Sequence, residues 1–279
     1  MRKIDKPLLN VTTVFEQCIS NVRDQNLKIE LENSIELIQD AENNFDEKKL
    51  TNEIYLIDRN VVVNHIINAN ILKSIYTDRL VNKKNQARNI YNSILISAPK
   101  EKCPLCNQRI ADTLDHYLPK SEYPLLAVSP LNLVPACTAC NKGKQIDYPV
   151  NSEEETLHPY YDDIENENWL KCELLEVKPI IFNYYVQPPL AWDLLLKNRV
   201  KNHFNSFNIN KLYKTHSAQE FENVKYHLEK LFISGGTPLL KEHLFDSFES
   251  RKLIDENSWQ TVFYDCLLNN ASFCNGQFI

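Results

Sequence analysis

Glycine is almost missing: there are four in 279 residues, at Gly143, Gly235, Gly236 and Gly276. No G-x-G-x-x-G, Walker A or G-x-S-x-G motif is present, which excludes the dinucleotide, P-loop and hydrolase sites built on such loops. Long apolar runs are missing too. Stretches such as Ile94 to Ile96 and Leu194 to Leu196 fall far short of the roughly 20 residues that span a bilayer. The opening Met1-Arg2-Lys3-Ile4-Asp5-Lys6-Pro7 leads into no apolar segment of the secretory kind, so a cytoplasmic chain without membrane association is expected. Nor is there an excess of basic charge. The formal net charge is −6, so any contact with nucleic acid has to be local.

What is present suits a folded protein. With 43% hydrophobic and 24% charged residues, the chain lies well outside the composition of disordered segments. Its length fits one large domain or two modest ones. The charge is unevenly spread: Pro99 to Gln145 carries six basic and four acidic residues, whereas Glu153 to Glu167 holds seven acids and no Lys or Arg. Such an acidic run reads first as a solvated surface loop.

Periodicity divides the chain into three. Residues 1–98 read as helical: Leu27, Leu31, Ile35, Ile38 and Phe45 keep one face apolar, and a second stretch from Ile66 to Ser97 buries Ile71, Ile75, Ala87, Ile90, Tyr91 and Ile94. In that stretch Arg79, Lys83, Lys84 and Arg88 recur about once per turn, either as a phosphate-facing stripe or as a solvated face. Residues 99–165 lose the helical period. Residues 166–279 contain a β-branched and aromatic run around Val177 to Val186, ended by Pro188-Pro189, and then helical spacing to the C-terminus. Ser234-Gly235-Gly236-Thr237-Pro238 marks a break between helices.

Eight cysteines occur, and in a cytoplasmic setting they read as buried small hydrophobes or metal ligands rather than disulfides. Cys18, Cys172, Cys266 and Cys274 stand alone in sequence and are assigned to packing. Cys103-Pro-Leu-Cys106 and Cys137-Thr-Ala-Cys140 are two C-x-x-C knuckles, and together they complete a closed four-cysteine Zn²⁺ site that stabilises without catalysing.

Between and beside the knuckles lie Asp115-His116-Tyr117-Leu118-Pro119-Lys120, Leu131-Asn132-Leu133-Val134-Pro135 and Cys140-Asn141-Lys142-Gly143-Lys144. With sixteen residues from His116 to Asn132 and nine from Asn132 to Asn141, this segment resembles the HNH endonucleases. The resemblance implies a ββα-metal module within a mainly α protein: residues 1–98 a helical region, 99–165 the zinc-stapled nuclease module, and 166–279 a mostly helical region with a short β segment. Chemically, Asp115 and Asn141 offer oxygen ligands suited to Mg²⁺ or Mn²⁺. His116 then serves as general base, and Lys120, Lys142 and Lys144 contact phosphate or developing charge. Asn132, by resemblance, braces the His116 backbone. Asn141 has a rival role as a plain helix cap, and HNH enzymes often carry His there. His158, in Leu157-His158-Pro159-Tyr160-Tyr161, reads either as a further metal or phosphate contact or as a packing residue.

The longer context, Asp115 through Pro124, Pro135 through Lys142 and His158-Pro-Tyr, is similar to HNH nucleases of bacterial anti-phage defence, including the nuclease subunit of Septu-type systems. That likeness implies DNA cleavage leaving 5′-phosphate ends and a separate ATPase partner. Cleavage of RNA such as tRNA, and a non-catalytic zinc-ribbon adaptor, are the alternatives. The oligomeric state is left open, as is restraint of the activity by a partner, by oligomerisation or by the acidic segment near Glu153 lying over the site.

Overall fold

Side-chain caps start most of the early helices. In the computed structural model, which describes residues 1–59, 66–144 and 148–279, α1 (Val11–Ile19) begins where Asn10 accepts from the Thr12 backbone N–H, and α2 (Gln25–Asn33) where Asp24 accepts from that of Leu27. These are the orphan donors that Asn and Asp satisfy best. The single amphipathic stretch expected from Leu27 to Phe45 is two helices, α2 and α3 (Ile35–Leu50), because Ser34 turns back on Leu31 with both its N–H and its hydroxyl. Leu31 and Ile38 are nevertheless buried in one cluster, and Phe45 is buried against Tyr117, His158 and Tyr161.

The second expected stretch is also interrupted. α4 (Ala69–Ser74), capped by Asn68, runs into a π-helical turn at Ile75–Leu80, and α5 (Arg88–Leu95) follows after a loop. The four basic residues therefore share no stripe. Arg79 lies on the π turn, Lys83 and Lys84 in the loop, and Arg88 donates to the Val81 carbonyl at 2.6 Å with its guanidinium over the Tyr91 ring.

Next come β1 (Thr113–His116) and β2 (Leu133–Ala136), paired antiparallel with Thr113 opposite Ala136 and His116 opposite Leu133, and then α6 (Thr138–Lys144). This ββα unit shares part of its core with the helices before it. Leu114, Leu125 and Leu133 are buried in one cluster with Val14, Phe15, Leu72, Ile75 and Ile90, so no structural division falls after residue 98. The chain separates instead into two compact units, Met1–Asp163 and Ile164–Ile279.

The second unit opens with the hairpin β3 (Leu170–Val177) and β4 (Ile180–Val186). Then follow α7 (Leu194–Ser206), α8 (Ile209–Lys252), α9 (Trp259–Asn269) and α10 (Ala271–Cys274). The expected break is real: α8 bends at Gly236, whose φ of 63° and ψ of −157° suit glycine, with Pro238 just beyond. Phe182 and Tyr184 of β4 are buried, Phe182 against Phe263 of α9. Cys172 and Cys266, which look isolated in sequence, meet where β3 packs on α9. Among the described residues no helix is long and apolar enough to cross a membrane.

Candidate functional site

Four thiols converge at one end of the ββα unit. The sulfurs of Cys103, Cys106, Cys137 and Cys140 lie within 4.8 Å of one another and all four residues are buried, a donor set that fits a tetrahedral ion such as Zn²⁺. The first knuckle is a tight turn closed by Cys103 N–H on the Arg109 carbonyl and Asn107 N–H on the Cys103 carbonyl, both at 2.7 Å, with Asn107 in the left-handed region. In the second, the Cys140 N–H points at Cys137 Sγ, 3.3 Å away. The four sulfurs hydrogen-bond one another, which pulls Cys106 and Cys137 towards the thiolate and pushes Cys103 and Cys140 towards the thiol. The set is closed, leaving no fifth group to do chemistry.

The second knuckle opens α6. Asp112, immediately before β1, accepts from Thr138 N–H at 2.7 Å and from its hydroxyl at 3.0 Å, fixing the helix across the strand. Asn141 therefore lies inside α6 and is not its cap. Its Nδ2 donates to the Leu114 carbonyl at 3.2 Å, which leaves the amide oxygen as the group available to a ligand. One turn further on, Lys144 is buried. It donates to the carbonyls of His116 (3.1 Å) and Tyr117, and its Nζ stands 3.6 Å from Asp115 Oδ2. Lys144 is thus part of the floor of the site and not a surface phosphate contact; Lys142 lies exposed on α6.

His116 ends β1. Its Nε2 lies 2.8 Å from the Ala127 carbonyl, an acceptor only, so Nε2 carries the proton and the lone pair resides on Nδ1. The imidazole packs edge-on against Tyr76, ring centroids 4.3 Å apart. Burial, reinforced by the charge of Lys120, pulls this imidazole down to about 3 against the opposing pull of the Ala127 bond, so it is held neutral. Asp115 is likewise buried, which raises its carboxyl, while Lys144 and Lys120 act to lower it. Lys120 reaches over the Tyr76 ring, 5.0 Å from its centroid.

Asn132 is completely buried and makes no approach to a ligand. Its Oδ1 accepts from Leu118 N–H at 2.7 Å, its Nδ2 donates to the carbonyls of Leu118 (3.0 Å) and Leu126 (3.1 Å), and its own carbonyl accepts from Tyr117 N–H at 2.8 Å. It ties the chain just after His116 to the turn that precedes Ala127.

His158 is placed differently from the ligand role weighed for it. It has no exposed surface, its Nε2 faces the Leu131 carbonyl at 3.1 Å, and its Nδ1 accepts from Tyr160 N–H at 3.2 Å. With both nitrogens used inside a cage of Phe45, Tyr117, Tyr160 and Tyr161, it is a packing residue. The acidic run is not simply a solvated loop either. Glu155 is fully buried, pairs with the equally buried Lys49 at 3.0 Å and accepts from Ile54 N–H, and Asp162 accepts from His158 N–H at 2.7 Å.

Several supporting residues come from the first hundred positions, where periodicity shows only an apolar face. Tyr91 accepts from Leu114 N–H at 3.1 Å, Tyr76 backs His116, and Glu42 of α3 accepts from Ser129 and from Leu131 N–H in the loop that leads to Asn132. The sequence signal available was a polar atom on an otherwise apolar face. No protein-family model and no solved structure matches the chain. Among curated proteins it is similar to protein ea31 of Escherichia phage lambda, 26% identical over 298 residues, with 99% of this chain and 100% of that protein covered.

Proposed function

We propose that this chain is a metal-dependent endonuclease of the HNH kind, hydrolysing phosphodiester bonds in DNA. The observation that carries the reading is His116: a neutral imidazole at the end of β1, its Nε2 proton committed to the Ala127 carbonyl and its lone pair on Nδ1, on a strand that also carries Asp115 and whose Leu114 carbonyl holds the Asn141 amide. Held neutral with its lone pair on Nδ1, the ring has the protonation state that a base for water needs.

Asp115 and the Asn141 amide oxygen are hard donors that fit Mg²⁺ or Mn²⁺. Such an ion, when bound, polarises the phosphate and neutralises charge that builds on the leaving oxygen. Everything else falls to the chain's own groups. His116 Nδ1 takes the proton of the attacking water, while the Ala127 carbonyl holds the tautomer. Asn132 fixes the backbone on both sides of that contact. Lys144 supplies a fixed positive charge beneath Asp115, so a divalent ion meets a carboxylate already half-compensated and is expected to bind firmly only together with phosphate.

Purified, zinc-loaded protein should nick supercoiled plasmid in Mg²⁺ or Mn²⁺, and His116→Ala should lower the rate about 10²- to 10⁴-fold with zinc content unchanged. Wild-type activity in that variant would falsify the mechanism. Cleavage of total RNA but not plasmid reassigns the substrate. No cleavage of either leaves the zinc-ribbon adaptor, which has the Lys144–Asp115 pair in its favour. Work beside an ATPase in anti-phage defence rests on the resemblance alone, and the full-length likeness to a phage protein leaves open which side of that contest the chain serves.

A further inference from the structure

The charges around His116 do not cancel. Asp115 contributes one negative charge and Lys144, 3.6 Å away, matches it. Lys120 stands above the same residues on the face of Tyr76, and Asp115 is the carboxylate that faces it. Lys73, in the last turn of α4, lies near enough for its charge to oppose that of Lys120. This is arranged by the fold, since α4 packs on the turn at Pro124–Leu126 that follows Lys120. Neither lysine has a side-chain hydrogen bond or ion pair among the described residues. Both are only partly exposed, so bulk water screens the excess incompletely. Lys73 and Lys120 therefore leave the mouth of the site with an excess of positive charge, a state that costs free energy until an anion arrives.

We propose that Lys73 and Lys120 together hold a phosphate of a nucleic-acid strand beside His116, with Lys120 propped on Tyr76 and Lys73 brought in by a helix outside the ββα unit. An ammonium on a flexible stem serves as a point charge here, reading the backbone and not the base. The choice of substrate rests on the nuclease reading; the lysine pair and its test do not need cleavage.

The test is binding of the zinc-loaded full chain to a labelled 20-base-pair DNA duplex and to the RNA duplex of the same sequence, by fluorescence anisotropy, without Mg²⁺ or Mn²⁺, from 50 to 200 mM salt. Each phosphate contact contributes a slope of about −0.9 in log K against log salt. Lys73→Met and Lys120→Met, which keep the apolar stems, should each flatten the slope by about one contact. The double variant should lose roughly twelvefold less affinity across that salt range than the wild type, as two contacts require. Lys120→Arg should restore the slope. An unchanged slope in the double variant, or no salt-dependent binding of either duplex by the wild type, overturns the proposal. Lysine-dependent binding without cleavage in added Mg²⁺ or Mn²⁺ instead sinks the nuclease reading and leaves the phosphate site standing; the two duplexes show whether its ligand is DNA or RNA.

Discussion

Replacing Asn132 by alanine deletes three side-chain hydrogen bonds at one stroke, to Leu118 N–H, the Leu118 carbonyl and the Leu126 carbonyl. All lie in the core, where Asn132, Leu118 and Leu126 expose 2% or less. Each buried polar group stranded in this way costs about 1–3 kcal/mol, and water re-entering the small space left by the amide recovers part of it, so a loss of roughly 3–6 kcal/mol is expected. Asn132→Asp should be nearly as damaging at pH 8, where a carboxylate faces two carbonyls, and milder at pH 5, where a proton restores one donor. The assay has to separate the two compact units. Trp169, Trp192 and Trp259 all belong to the second, so tryptophan fluorescence reports that unit, whereas cobalt bound to the four cysteines reports the first through its absorption. In urea the cobalt transition should move to lower denaturant by the stated amount while the tryptophan transition stays in place. A cobalt transition within 1 kcal/mol of wild type, or a shift seen only by tryptophan, would show that Asn132 does not brace the strand.

Two further outcomes follow from buried charge. Lys49→Met takes the buried ammonium from Glu155 at about 3–5 kcal/mol, Glu155→Gln costs less because Lys49 keeps Asp162 at 3.7 Å, and the double variant should recover much of the loss; a thermal melt followed through cobalt should drop by roughly 10 °C for Lys49→Met in a unit of this size. Losses that simply add in the double variant would deny the pairing. Burial also raises the carboxyl of Glu42, with Ser129 opposing. A group whose folded value is raised stabilises fully below its unfolded value, ordinarily 4.5, and that contribution fades as pH climbs through the folded value. Glu42→Gln should therefore gain on the wild type as pH increases from 4.5 to 8, and melting curves that diverge in the opposite sense would reverse the assignment.

How much of this was visible in the residues alone depends on the range over which each contact acts. The knuckles, the break at Gly236 and strand β4 are local matters, set by spacing, by φ and by alternation, and each can be read within a dozen positions; β3 begins at Leu170, ahead of the alternating run, and shows itself only by pairing with β4. Asn132 was legible as a brace only through the pattern it shares with His116. His158 and Lys144 were not legible in their roles, because a ligand and a core residue share one letter. What separates them is a carbonyl 27 positions away at Leu131 for His158, and the carbonyl of His116, 28 positions away, for Lys144. Tyr76, Tyr91 and Glu42 lie further from the motif, and their apolar-face periodicity hides a polar atom apiece.

Those distant contacts bear on the chemistry and not only on stability. The tautomer of His116 is decided by the Ala127 carbonyl, Ala127 is positioned through Leu126 by Asn132, and the loop leading to Asn132 is gripped by Glu42 from α3. The four cysteines meet the same unit at its other end, through α6. On the proposed reading, the proton-accepting nitrogen of His116 is thus set by the helical core, while the amide of Asn141 is set by the helix that the cysteines open. Because the two sides of the site hang from different anchors, weakening the core should disturb the base before it disturbs the metal donors. On the same reading, loss of an ion from the four cysteines should act in the reverse order, since α6 carries both Cys140 and Asn141.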